Sequence, residues 1–166
     1  MKTRWTTLLA LGLSGASFAA CSGSDDGNPA DSVGSSESAI CANETRAERF
    51  MSGMAKETDG GLKVALAESE PAPPARLDNA WVLSVHDANG EPVLGADLVL
   101  DPRMPDHGHG APRQPAVEEL GDGQYSVEPV ALSMQGFWTI DVGVLLMGEP
   151  VSDPPAESVQ FGFCVP

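Results

Sequence analysis

From Leu62 onward, apolar residues recur at every second position in short runs, and Gly, Pro and Asn separate the runs. Leu62, Val64 and Leu66 alternate with Lys63 and Ala65; Trp81, Leu83 and Val85 alternate with Val82, Ser84 and His86. A period of two puts one set of side chains on one face of an extended chain, so each run reads as a strand with one buried face. Ala96, Leu98 and Leu100 form a third strand, Val117 to Leu120 a short fourth, and Tyr125 with Val127 a fifth. Trp138, Ile140, Val142 and Val144 form a sixth, and Val159, Phe161 and Phe163 a seventh. Pro71 to Pro74, Asn89-Gly90, Gly121-Asp122-Gly123 and Pro154-Pro155 lie between the runs, where turns need fixed or positive φ. About seven short strands with no helical period between them predict an all-β fold: an immunoglobulin-like antiparallel β-sandwich, with Trp81 and Trp138 filling its centre.

The chain ahead of these strands has a different character. Asn43 to Lys56 lacks Pro and spaces Ala47, Phe50, Met51 and Met54 by three and four, which predicts a short amphipathic helix ended by Asp59-Gly60-Gly61. Met51, Met54 and Met147 read as packing residues, because each lies among apolar neighbours without a histidine. Ser22 to Ser38 is Ser, Gly, Asp, Asn and Pro with almost no apolar residue, and cannot bury enough surface to offset its ordering entropy. The first twenty residues read as an export signal: Lys2 and Arg4, an apolar run from Leu8 to Leu13 too short to cross a bilayer, then small residues. Phe18-Ala19-Ala20-Cys21 is similar to the lipobox of bacterial lipoproteins, which implies acylation of Cys21 as the mature N-terminus. Plain secretion, with cleavage after an Ala-x-Ala-like site, is the alternative. The expected organisation is a leader over 1–20, a tether over 21–38, a helical segment over 39–61 and a sandwich over 62–166. Its expected place is the cell envelope, outside the cytoplasmic membrane and lipid-anchored. Ser22 after Cys21 favours the outer membrane where the organism has one.

The chain carries 9 basic and 24 acidic side chains, and the leader contains two of the basic ones and none of the acidic. Nucleic acid and anionic lipid surfaces are therefore poor partners. With Cys21 assigned to lipid, Cys41 and Cys164 remain. An exported chain permits a disulfide between them, and a structural bond is favoured over a redox pair because neither lies in a Cys-x-x-Cys arrangement.

Two of the three histidines stand one residue apart in Met104-Pro105-Asp106-His107-Gly108-His109-Gly110. In an extended segment, side chains at i and i+2 share a side, so His107 and His109 can reach one ion. The Met104 thioether points to copper rather than zinc or magnesium. If consecutive strands are antiparallel and Val117 to Leu120 is a true strand, the loop after the third strand and the loop Val130 to Gly136 lie at the same end of the sandwich. That placement adds Met134 to Met104, His107 and His109. Two thioethers and two imidazoles suit Cu(I), and imidazole also tolerates Cu(II). The competing reading is a tight exposed loop made by Pro105 and the glycines, with Met134 an ordinary core residue. His86 ends its strand away from the apolar face and at the opposite end, as a solvated surface group.

The run Asn79 to Ala96, followed by Met104 to Gly110, Leu120-Gly121-Asp122-Gly123-Gln124-Tyr125 and Met134-Gln135-Gly136-Phe137-Trp138, resembles the YtkA-like or FixH-like domain of exported bacterial proteins over about residues 62 to 144. The resemblance implies a small β-sandwich outside the cytoplasmic membrane and, for some members, a link to copper handling or cytochrome oxidase assembly. A protein partner for copper transfer or oxidase assembly is expected on the same ground.

An enzymatic reading finds little support. The mature chain has no Gly-x-Ser-x-Gly elbow and no phosphate-binding glycine loop, and its histidines are too few for both a site and a base. Glu118-Glu119 reads as strand-edge charge rather than an acid and base pair. Two functions stay open: copper binding through Met104, His107, His109 and Met134 as a chaperone, buffer or sensor, or a metal-free envelope interaction module built on the same loops.

Overall fold

The computed structural model describes residues 39–148, 152 and 154–166. The leader, Cys21 and the tether lie outside these residues. Among the described residues, nine strands form two antiparallel sheets. The first sheet runs β1 (Met54–Glu57), β2 (Lys63–Glu70), β3 (Leu77–His86), β7 (Gln124–Leu132) and β6 (Ala116–Gly121). The second runs β5 (His109–Gly110), β4 (Asp97–Met104), β8 (Gly136–Leu145) and β9 (Glu157–Val165). With β1 and β5 set aside, the orders β2-β3-β7-β6 and β4-β8-β9 reproduce the constant-type immunoglobulin sandwich, strands ABED on one sheet and CFG on the other.

Each of the seven expected runs became a strand, and all but the fourth, where Val117 is half-buried and Leu120 exposed, turn the expected face inward. Val64, Leu66, Trp81, Leu83, Val85, Val127, Trp138, Ile140, Val142 and Phe161 are buried almost completely. Trp81 meets Phe163 edge to face at 6.0 Å between ring centres, and Phe50 adds a second edge contact to Phe163 at 6.2 Å. Strand β6 is real and lies at an edge, with Glu118 and Glu119 exposed on it. It turns into β7 through Asp122 and Gly123, both at positive φ, as a two-residue hairpin requires.

The helix over Asn43 to Lys56 does not form. One helical turn covers Ala39–Cys41, residues 42–53 are turns and irregular chain, and Met54–Glu57 is strand β1 paired with β2. An isolated helix of this length is marginal in water, and the segment gains more by pairing with the edges of both sheets. The Glu48 amide donates to the Gly162 carbonyl at 2.7 Å, and the Gly162 amide donates to Glu48 Oε2 at 2.8 Å. Gly53, at φ +78°, then turns the chain onto β2. Phe50 and Met54 do pack on the core, while Met51 and Met147 are exposed, against the expectation for those two. A disulfide joins Cys41 to Cys164 with Cα atoms 5.6 Å apart, closing a separation of 123 residues. The result is a strap that runs from β9 of one sheet to β1 of the other.

Candidate metal site at one end of the sandwich

Met104 ends β4, and Pro105, with φ held near the helical value, starts a tight turn. The Met104 carbonyl accepts from the His107 amide at 3.1 Å and the Gly108 amide at 2.9 Å. Gly108 sits at φ +67°, a region that suits glycine, and returns the chain as β5. In this hairpin His109 pairs directly with Met104. Directly opposed residues share a face of the sheet, so the imidazole and the thioether become cross-strand neighbours.

The segment is therefore not the extended His-x-His that the sequence suggested. His107 belongs to the turn and is exposed, whereas His109 is in the strand and half-buried. Their rings still lie 5.9 Å apart between centres. An ion about 2.0 Å from a ring nitrogen sits roughly 3 Å from that ring's centre, so two rings on one ion can be separated by up to ~6 Å. The pair is within that reach. His109 also stands edge to face with Trp138 at 5.8 Å, and its Nδ1 lies 3.0 Å from the Gly110 carbonyl. With the proton on Nδ1, that bond leaves Nε2 as the lone-pair donor and fixes the ring's orientation.

Because β6 is a strand, the connection from β7 to β8 lies at the same end as the hairpin. An open concavity of about 540 Å³ is lined by Met104, Asp106 and His107 from the hairpin, by Met134 and Gly136 from the connection, and by Ile40 and Arg76. Met134 is 41% exposed, so it is not a core residue, and its carbonyl accepts from Trp138 Nε1 at 2.9 Å. Met104 is only 2% exposed and forms the floor. Its methyl group lies so close to Gly136, at φ +122°, that a Cβ there would come within 2.6 Å of it. Three of the four expected ligands thus line one concavity; the fourth, His109, does not line it, and is the cross-strand neighbour of Met104 with its ring 5.9 Å from that of His107. His86 is at the far end of β3, as expected.

Among the described residues, no three His, Cys, Asp or Glu side chains are grouped to hold a metal. An ion held here would depend on thioether sulfur beside the two imidazoles, which is the donor chemistry of copper.

One feature of the site escaped the sequence reading altogether. Arg46, in the strap, donates from Nη1 to Asp106 Oδ1 at 2.8 Å and from Nη2 to Asp106 Oδ2 at 2.7 Å. It also bonds Glu44 through Nε at 2.9 Å and Nη2 at 2.6 Å, and lies 4.3 Å over the ring of Phe137. These bonds hold the Asp106 and Glu44 carboxyls below the usual carboxylate range and keep the guanidinium charged. The partners are 60 residues apart in sequence, and no local pattern marks them.

The family model described as YtkA-like matches residues 56–143. The chain belongs to the YtkA-like family. The matched segment of this YtkA-like chain contains Met104, His107, His109 and Met134, and leaves out Arg46, Cys41 and Cys164. No curated protein matches the sequence. Among solved structures, a copper-bound variant of FetP from uropathogenic Escherichia coli strain F11 is similar at 11% identity and a TM-score of 0.44, covering 68% of this chain and 89% of that one.

Proposed function

We propose that this YtkA-like protein is a lipid-anchored, extracytoplasmic copper-binding protein, with Cu(I) held by Met104, His107, His109 and Met134. The observation that supports it is the meeting of two connections at one end of a rigid sandwich. The β4–β5 turn supplies two imidazoles and a thioether, and the β7–β8 connection supplies a second thioether. Soft sulfur with imidazole suits Cu(I). The concavity is open, so ligands can exchange with a partner, which fits a chaperone, buffer or sensor better than a catalyst. A partner for copper transfer or oxidase assembly would approach this end of the sandwich, where the concavity opens. One observation favours the metal-free interaction module instead: Met104 is packed as a core residue.

Competitive titration with Cu(I) against a chromophoric chelator separates the two. The copper reading expects one-to-one binding that is lost in the His107→Ala/His109→Ala double variant. Equal, weak binding by parent and double variant would sink it and leave an interaction module.

A further inference from the structure

Asp106, adjacent to His107 in the turn, is the carboxylate that lines the same concavity. A carboxylate beside two imidazoles would supply a hard oxygen donor, and an oxygen and nitrogen set accepts zinc as readily as copper. Here both Asp106 oxygens are taken by Arg46 in a bidentate pair. The guanidinium is itself held in place from two further sides, by Glu44 and by the face of Phe137. Its backbone belongs to a strap fixed to β9 by the Cys41–Cys164 bond and the Glu48–Gly162 hydrogen bonds.

We infer that Arg46 is a selectivity-setting residue: it holds Asp106 out of the coordination sphere, so the site presents nitrogen and sulfur and discriminates against zinc. This inference rests on the copper reading of the same site. It assigns a role to the strap that packing alone does not require, since Arg46 and Asp106 are both exposed and their pairing buries little.

Parallel titrations with Zn(II) and Cu(I) test it on four proteins: the parent, Arg46→Ala, Asp106→Asn and Arg46→Ala/Asp106→Asn. Removing an outer partner of a ligand set typically changes metal affinity by about 10–100-fold. Arg46→Ala should therefore raise Zn(II) affinity at least roughly tenfold, and adding Asp106→Asn should cancel the gain, because the double variant shares any looseness of the strap but lacks the freed oxygen. Asp106→Asn alone should leave Cu(I) affinity where it was. Equal Zn(II) binding by Arg46→Ala and the double variant would overturn the inference. So would loss of Cu(I) affinity in Asp106→Asn alone, which would make Asp106 a ligand of the native site. A parent that binds no Cu(I) refutes the copper reading separately, and a zinc site gained in Arg46→Ala and lost again in the double variant would still establish the latch.

Discussion

Met104 and Met134 offer the same thioether from opposite surroundings, one in the core and one 41% exposed. Their substitutions should separate packing from ligation. Met134→Leu removes only a sulfur from an exposed side chain, so Cu(I) affinity should fall by roughly tenfold in chelator competition while the thermal midpoint stays the same. Met104→Leu preserves volume and should cost under about 1.5 kcal/mol in denaturant unfolding, whereas Met104→Ala should cost about 2–5 kcal/mol through the cavity it leaves. Unchanged Cu(I) binding in both leucine variants would remove sulfur from the site. The two histidines and both methionines were legible in sequence because residue type and spacing carry that signal. Arg46 was not, because a guanidinium finds its carboxylate through the fold, and in a chain with 24 acidic residues no candidate stands out.

At the scale of elements, the strap is where physics departed from pattern. The spacing of Ala47, Phe50, Met51 and Met54 satisfies a helix, yet the chain there runs as turns and irregular backbone into β1, because two sheet edges offer it backbone partners. Six of the seven runs were legible because each has a face to bury, and β6 because turn residues bound it; β1 and β5 were not. β5 is two residues long, and β1, Met-Ala-Lys-Glu, exposes alternate side chains at an edge and buries none completely. The strap's covalent end should matter most for stability. Closing 123 residues stabilises the fold by about 5 kcal/mol in the chain-entropy model, so Cys41→Ser/Cys164→Ser should lower the urea unfolding free energy by about that amount. A change under about 1 kcal/mol would show that the unfolded chain is already constrained without the bond. Gly136 joins the two halves of the site in a comparable way. Gly136→Ala would combine an unfavourable φ with a clash against Met104, and should displace the β7–β8 connection and weaken Cu(I) binding more than Met134→Leu does.

For the molecule as a whole, the strap's charges set how the fold meets acid. Asp106 and Glu44 have folded-state pKa values lowered first by hydrogen bonds from Arg46. A lowered carboxylate contributes stability that is present above its unfolded pKa and lost as pH falls through the lower folded value. Unfolding curves of the parent and Arg46→Ala should therefore differ at neutral pH and converge as the pH drops below the ordinary carboxylate range, with the neutral difference reduced by salt because the groups are exposed. Tyr125 acts in the other direction. Its hydroxyl donates to the Val93 carbonyl at 2.8 Å and accepts from the Ala96 amide at 3.2 Å, and burial raises its pKa. Its contribution is present below the unfolded value and lost as pH rises through the folded one, so Tyr125→Phe should narrow the alkaline loss of stability. Neither effect touches the central claim, that two imidazoles and thioether sulfur meet on one ion at this end of the sandwich. X-ray absorption at the copper edge of the Cu(I)-loaded protein tests that claim most directly. The account predicts mixed imidazole and sulfur scattering, with the sulfur shell reduced in Met134→Leu. A first shell of nitrogen and oxygen alone, identical in the parent and Met134→Leu, would contradict it.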